Sequence, residues 1–392
     1  MDKIFEVEIY NKRLAVDFWL PATDYQLLDA IGKLGIENNV SPSLDIQKYA
    51  YSFQNLSDVM EKDRLNLFEL NALAQRLSQF ELEDEIAFHA LVLTRLEREG
   101  GNIPTRELLD LAYSTDCCEV HPDVDTYEEL GHFYVENDMV PELKNVPEEA
   151  LPFLDYGQIG RKLSEAECGM LAPGGYVTQT SELKEISQGM EFVPPKPGYS
   201  ILLELTGKDS KTQISLPASG SVMFELDYAI NTLWPSESRA HASVRCLDCA
   251  VPALIPVLSE CGIDQLKQMN KLAKTLQGMA PTQINKFKAV LDATEERSIL
   301  GAMQVMETLD EYLFSPQLLF PEDMARDFLS ANMGEGALDT LSKFVNLYGY
   351  GEALMEEQNC VQTEYGLVSR EDGQSLTYSE SQGQESTNEM TV

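Results

Sequence analysis

The chain has 392 residues, 43% of them hydrophobic, which is enough apolar material for more than one folded core. Its 65 acids against 29 bases give a formal charge of -36, which argues against direct nucleic-acid binding through Lys and Arg and against an anionic membrane surface. No apolar run is long enough to predict a transmembrane helix, the opening MDKIFEVEIY reads as a strand and not as a signal peptide, and the seven irregularly spaced cysteines are expected to be reduced thiols of a cytoplasmic protein.

The first section, residues 1–60, is β-rich. EVEIY and RLAVDFWL alternate and carry aromatics, LPATDYQLLDAIGKLGI follows as a helix behind a Thr/Asp cap, and IQKYAYSF is expected to add a further short strand. Residues 61–115 are helical. NLFELNALAQRLSQF and EDEIAFHALVLTRLERE place apolar residues at helical spacing, and TRELLDLA starts a third helix with Thr105 as its expected cap. Residues 116–187 form an acidic α/β section. It has a helix at Thr126–Asn137, a second helix through LPFLDYGQIGRKL, and a hairpin at MLAPGGYVTQ turning on Pro173-Gly174-Gly175. The fold class expected is α+β, with small antiparallel sheets and helical subdomains.

The chain then repeats itself at a period of about 191 to 199 residues. Glu8 falls on Glu204, Leu20-Pro21-Ala22 on Leu216-Pro217-Ala218, Asn71 on Asn270 and Phe88 on Phe287. Further on, Phe153 falls on Phe344, Gly160 on Gly351, Leu163 on Leu354, Gly175 on Gly366 and Val177 on Val368. Copy one covers 1–187, a Pro-rich linker 188–197, and a diverged copy two 198–368. The polar stretch 369–392 is expected to be disordered.

Charge is unevenly spread. From Glu81 to Asp155 there are 20 acids and 4 bases, a local net charge of -16. Those singled out for presentation to a partner are Asp110, Asp116, Glu119, Asp123, Asp125, Glu128, Glu129, Glu136, Asp138, Glu142, Glu148, Glu149 and Asp155. Holding so many like charges on folded structure costs self-repulsion, which interspersed Lys and Arg would relieve if solubility were the only aim. B-DNA carries about one charge per 1.7 Å and a helix rises about 1.5 Å per residue, so neighbouring acidic helices approach the charge density of a duplex. Copy two differs: His241–Asp292 holds 4 acids and 6 bases, and Lys267, Lys271 and Lys274 replace Phe68, Ala72 and Gln75, so this part is a candidate docking face for acidic surfaces. Acidity returns over Ala293–Gly366, with 14 acids against 3 bases.

Chemistry-bearing motifs are sparse. Cys246-x-x-Cys249 stands without a second pair, whereas a structural zinc usually takes four ligands, and the adjacent Cys117-Cys118 cannot easily aim at one metal. The His121-Pro-Asp123-x-Asp125 loop lacks the spacing of a calcium loop. There is no G-x-S-x-G elbow, phosphate-binding loop or dinucleotide fingerprint, and four histidines leave few acid–base candidates. No catalytic residue, metal or cofactor is expected, and the chain is read as a non-enzyme.

Residues Thr126–Val177 resemble the C-terminal part of the ArdA-type antirestriction proteins. The family's segment of the form I-D-Y-x-x-[YF]-G-R-x-L is similar to Leu154-Asp155-Tyr156 followed by Gly160-Arg161-x-Leu163, and the paired strands, Leu-Pro-Ala and amphipathic helix of the opening are similar too. The resemblance covers copy one and, more faintly, copy two, so the chain looks like two ArdA-like copies in tandem. It implies an elongated body of small α/β subdomains that mimics B-form DNA and occupies the DNA groove of a type I restriction-modification enzyme (its methyltransferase core), and it implies carriage on mobile genetic elements such as conjugative transposons and phages. It also implies a homodimer or, with two copies in one chain, an intramolecular pseudo-dimer. In this reading the acids from Asp110 to Asp155 named above stand in for phosphates, while Tyr156, Gly160, Arg161 and Leu163 hold the fold. An acidic interaction module binding another basic DNA-binding protein, without mimicry, is the alternative. Copy two departs from the motif: Glu352 stands at the Arg161 position.

Overall fold

The computed structural model describes residues 2–11, 13–35, 42–143, 146–206, 211–221, 243–333, 338 and 341–376. The described residues are mixed α+β, with four three-stranded antiparallel sheets among them. It divides into two compact units, Met1–Ala22 with Asn39–Pro194, and Thr23–Asn38 with Pro195–Val392.

In the first unit, β1 (Phe5–Asn11) is the central strand between β2 (Leu14–Leu20) and β3 (Ser43–Tyr49). Phe5, Val7 and Ile9 alternate into the core, as a half-buried strand requires. Register runs from Phe5 opposite Leu20 to Asn11 opposite Leu14, with a shift against β3 between Glu6 and Val7. The strand expected over IQKYAYSF starts earlier, at Ser43, and ends at Tyr49; Tyr51–Phe53 turn as a 3-10 helix that buries Phe53. That ring meets Phe80 and Phe88 edge-on at 6.1 and 6.2 Å, so aromatic packing overrides strand alternation there.

Three helices follow: α2 (Leu67–Leu77), α3 (Leu82–Glu99) and α4 (Thr105–Tyr113). Asn66 caps α2 by accepting from the Phe68 and Glu69 amides, and Glu81 begins α3 with Asp84 reaching back to its amide at 3.3 Å. The cap expected of Thr105 is not made. Pro104 holds the cap position, and Thr105, only 4% exposed, is the first helical residue.

The first end subdomain runs through β4 (Cys118–Pro122), α5 (Tyr127–Glu136), α6 (Tyr156–Glu167), β5 (Met170–Ala172) and β6 (Gly175–Gln179), with strand order β4-β6-β5. One face of this sheet packs Ala172 and Val177 on Ile86 and Ala90 of α3. The Tyr176 side chain packs instead with Leu130 and Tyr134 of α5. Alternation along β6 thus joins two small cores.

The second unit repeats these designs. Strand β7 (Ile201–Thr206) lies between β8 (Lys211–Leu216) and β9 (Ser243–Cys249). Its register shift falls between Leu202 and Leu203, the counterparts of Glu6 and Val7. Helices α7 (Leu266–Gly278), α8 (Pro281–Ala293) and α9 (Ile299–Glu307) follow. The second end subdomain comprises β10 (Tyr312–Ser315), α10 (Pro321–Met333), α11 (Leu347–Glu357), β11 (Val361–Thr363) and β12 (Gly366–Arg370), in sheet order β10-β12-β11.

One polar device occurs twice. Asn71 on α2 accepts from the Ala22 amide at 2.8 Å and donates to its carbonyl at 3.2 Å. Asn270 on α7 does the same to Ala218, at 2.7 and 3.3 Å. Each asparagine thereby satisfies both backbone groups of the residue after the Leu-Pro step, groups that would otherwise be costly to bury.

The second unit also holds the helix of Asp24–Lys33, here α1, capped by Thr23 with Gln26. Polar side chains anchor it: Thr23 donates to Asp248 at 2.7 Å, and Lys288 donates to Asp29 at 2.6 Å. The Tyr365 hydroxyl also donates to Asp29, at 2.8 Å. Burial would raise the Asp29 carboxyl, but Lys288 and Lys33 outweigh it and hold the group below its ordinary range. The polar stretch expected to be disordered from Ser369 keeps its order further than that. Arg370 closes β12 and pairs with Asp372, and Leu376 is buried in the unit's core. Residues 377–392 lie outside the described residues.

Candidate functional site: an acidic end subdomain

The first end subdomain is built around a close crossing of α5 and α6. A side chain at Gly160 would overlap the Tyr127 carbonyl, so only glycine lets the helices meet there. Asp155 caps α6 by accepting from the Gln158 amide at 2.9 Å. Tyr156 stacks on His132 with ring centroids 3.7 Å apart, the Arg161 guanidinium lies 5.4 Å from the centre of the Tyr127 ring, and Leu163 packs at the edge of the Leu130–Tyr134–Tyr176 core. The Tyr134 hydroxyl donates to Glu167 at 2.6 Å, and Tyr176 reaches the same carboxylate at 3.4 Å. Burial pushes the Tyr176 hydroxyl up to about 12. Tyr156, Gly160 and Leu163 of the motif therefore perform packing, while Arg161 is exposed with its guanidinium over an aromatic face.

The acids decorate this frame. Asp116, Glu119, Asp123, Asp125, Glu128, Glu129, Glu136, Asp138, Glu142, Glu149 and Asp155 are all exposed. Asp110 is not presented in this way. It is half-buried, and its two oxygens accept from the Ser187 amide and hydroxyl at 2.7 Å each, so it is a clamp on the segment after the hairpin. The Glu148 side chain lies outside the described residues. Asp116 is paired with Lys184 at 2.6 Å, and that hydrogen bond lowers its carboxyl. Glu129 is fixed by the Asp125 amide at 2.9 Å and the Thr126 hydroxyl at 3.0 Å, so it has a single defined position at the start of α5. Among the described residues, Asp123, Asp125, Glu128 and Asp138 have no Lys or Arg within ion-pairing distance. Glu119 and Glu136 have only histidines nearby, His121 at 3.9 Å and His132 at 3.6 Å.

The remaining candidates fall out differently. His121 packs its ring on Phe133, 4.7 Å between centroids, and Asp125 offers its amide to Glu129. Among the described residues, no group of three or more His, Cys, Asp and Glu is placed to hold a metal. All seven cysteines are free. Cys246 and Cys249 are buried in the second unit's core, where burial pushes both thiols up, Cys249 to about 12. Cys118 is likewise pushed up to about 11. Protonated thiols are poor nucleophiles and poor ligands. His89 is buried and bonded to Asn55 at 3.0 Å, with burial holding its imidazole below the usual range.

Of the apolar positions near the acids, Phe133 and Tyr134 join the core, but Phe153 is 86% exposed. Glu165, exposed on α6, belongs to the same subdomain, although the acid-rich window of the sequence closes at Asp155. No helix among the described residues is long and apolar enough to cross a membrane. Comparison with protein-family models and with curated proteins returns no match.

Proposed function

We propose that the first end subdomain presents its carboxylates to the DNA-binding groove of a basic protein, and that the chain is an antirestriction DNA mimic acting on a type I restriction-modification enzyme. The observation that carries this reading is the set Asp123, Asp125, Glu128 and Asp138, exposed on a closely packed frame and without Lys or Arg partners among the described residues. Unpaired acids on ordered backbone keep their charge and their place along the fold, so binding orders only side chains and releases ions from the partner's groove. Along α5, Glu129 and Glu136 stand seven residues apart, a rise of about 10 Å. That is roughly three phosphate steps along one strand of a duplex. The ArdA-like motif supports the identity of the target, and the elongated arrangement of tandem copies is part of the same proposal.

The test is competition between this protein and duplex DNA for a type I methyltransferase core. The combined variant D123N/D125N/E128Q/E136Q is expected to raise the inhibitor concentration needed for half-displacement at least tenfold, with the melting temperature not lowered, since self-repulsion is relieved. Undiminished inhibition by that variant, or no inhibition by the natural chain, would overturn the proposal. Retention of binding to another basic protein in the second case would favour an interaction module without mimicry.

A further inference from the structure

Each end subdomain leaves two large apolar side chains outside its packing. Phe153 and Phe344 are the most exposed phenylalanines among the described residues, at 86% and 83%. They occupy one structural position. Each stands two residues before the cap of its subdomain's second helix, Asp155 for α6 and Asn346 for α11. The residue in between, which is placed to fold back on the new helix as a hydrophobic staple, is Leu154 or Val345, and both are partly buried. The phenylalanine is therefore not the staple. A methionine recurs in the same way. Counted from the Tyr127 and Pro321 carbonyls that face the crossing glycines, Met139 and Met333 fall at matching places near the end of the first helix, 53% and 52% exposed. Both apolar side chains are kept in both copies, although the cap between them and α6 or α11 has changed from a charged to a neutral residue.

We propose that each connection between the paired helices is an apolar anchor point for a cationic amphipathic segment of a partner protein, one that sets apolar side chains among Lys and Arg. Large apolar side chains left in water are unfavourable, and their recurrence at matched positions marks a surface that becomes covered. Charge selects the occupant. In the connection that holds Phe153, Asp138, Glu142, Glu149 and Asp155 are exposed. The stretch Ala293–Gly366, which holds Phe344, has 14 acids against 3 bases. Such surroundings repel a phosphate backbone or an anionic membrane, and a second copy would set the same sign against itself. A wholly polar basic surface would answer the acids and leave the rings in water. A segment with both kinds of side chain answers both, with apolar contact at the centre and ion pairs at the rim, as in other binding hot spots. The unbranched methionine adapts its shape to such a partner. The inference shares the acids of the first end subdomain with the proposed function and stands without it. Phosphate mimicry accounts for the carboxylates but assigns nothing to Phe153 or Met139, which have no counterpart on a duplex backbone.

Isothermal titration calorimetry of the full chain tests it without a restriction enzyme. The probes are two lysine peptides of equal length and charge, one with leucine at every second position and one with serine there. The natural chain is expected to bind the leucine peptide about tenfold more tightly than the serine peptide, a ratio within reach of one buried aromatic ring. F153A/F344A, which removes no core contact and no cap, is expected to bring the two affinities together, with circular dichroism confirming its fold. E142Q/E149Q is expected to weaken both peptides alike and to leave the ratio in place. Equal binding of the two peptides by the natural chain, or a preference unchanged in F153A/F344A, overturns the proposal. So does an association between copies that F153A/F344A abolishes while the peptide preference stays.

Discussion

The two end subdomains, Cys118–Gln179 and Tyr312–Arg370, share a sheet order and a helix crossing but not a surface. In the first, Gly160 of α6 faces the Tyr127 carbonyl; in the second, Gly351 of α11 faces the Pro321 carbonyl. The capping residue changes from Asp155 to Asn346, yet both accept from the third residue onward, Gln158 or Gly349. Outside these positions the charge diverges. The loop after β4 carries exposed Asp123 and Asp125, whereas its counterpart carries Gln317 and Leu319. Helix α5 shows Glu128, Glu129 and Glu136 to solvent. On α10 the early acids Glu322 and Asp323 are half-buried, Asp323 being spent on the Leu319 and Phe320 amides, and the exposed Asp327 stands beside an exposed Arg326. The scaffold is therefore set by a few close contacts, and the charge on it varies independently. That separation is expected where charge serves binding and packing serves the fold.

The largest effects are expected at the two crossing glycines. Gly160→Ala and Gly351→Ala each force a methyl into a facing carbonyl, and each is expected to destabilise its subdomain by ~3 kcal/mol, measured by chemical denaturation. If one is tolerated, the two crossings are not equivalent. Next come the asparagines. Asn71→Ala and Asn270→Ala each strand a backbone amide and carbonyl, and a loss of about 2 kcal/mol is expected for each. Asn71 is the more buried of the two, so its loss should be the larger.

The smallest effect is a difference in pH response between the two units. His89 on α3 and Lys288 on α8 occupy matching positions beside Phe88 and Phe287. Burial keeps His89 neutral, so its contribution to stability is complete above the free-imidazole range near 6.5 and declines as pH falls below it. The lowered Asp29 carboxyl beside Lys288 contributes stability above its ordinary value near 3.8, lost only as pH falls through the lowered value. Between pH 7 and 5 only the histidine responds, so His89→Gln should flatten the melting temperature over that interval. An unchanged slope would place the response elsewhere.

Much of this architecture was legible in the residues themselves, and the reason is range. Helix α5 over Thr126–Asn137 and the hairpin turning at Gly174 are local arrangements, written in spacing and in a turn with φ of +89° at Gly174, and the helix expected through LPFLDYGQIGRKL forms only from Tyr156, behind an Asp155 cap that reads in sequence as one more acid. Matching positions in the two halves were also legible, because a repeat needs only order. What escaped depends on distant partners. Asp110 reads as one more surface acid until Ser187, 77 residues on, claims both its oxygens. Thr105 looks like a cap in sequence but is drawn into the core. Within the candidate site, acid identity was readable, whereas pairing with Lys184 and fixation of Glu129 were not.

In the proposed function, unpaired carboxylates on an ordered backbone replace phosphates in a basic groove. The most direct measurement of this replacement is the salt dependence of inhibition of a type I methyltransferase core. The logarithm of the inhibition constant should change steeply and linearly with the logarithm of salt concentration, and the slope should shrink by about one for each presented acid neutralised. An inhibition constant indifferent to salt, or a slope unaffected by neutralising Asp123, Asp125, Glu128 and Glu136, would contradict it.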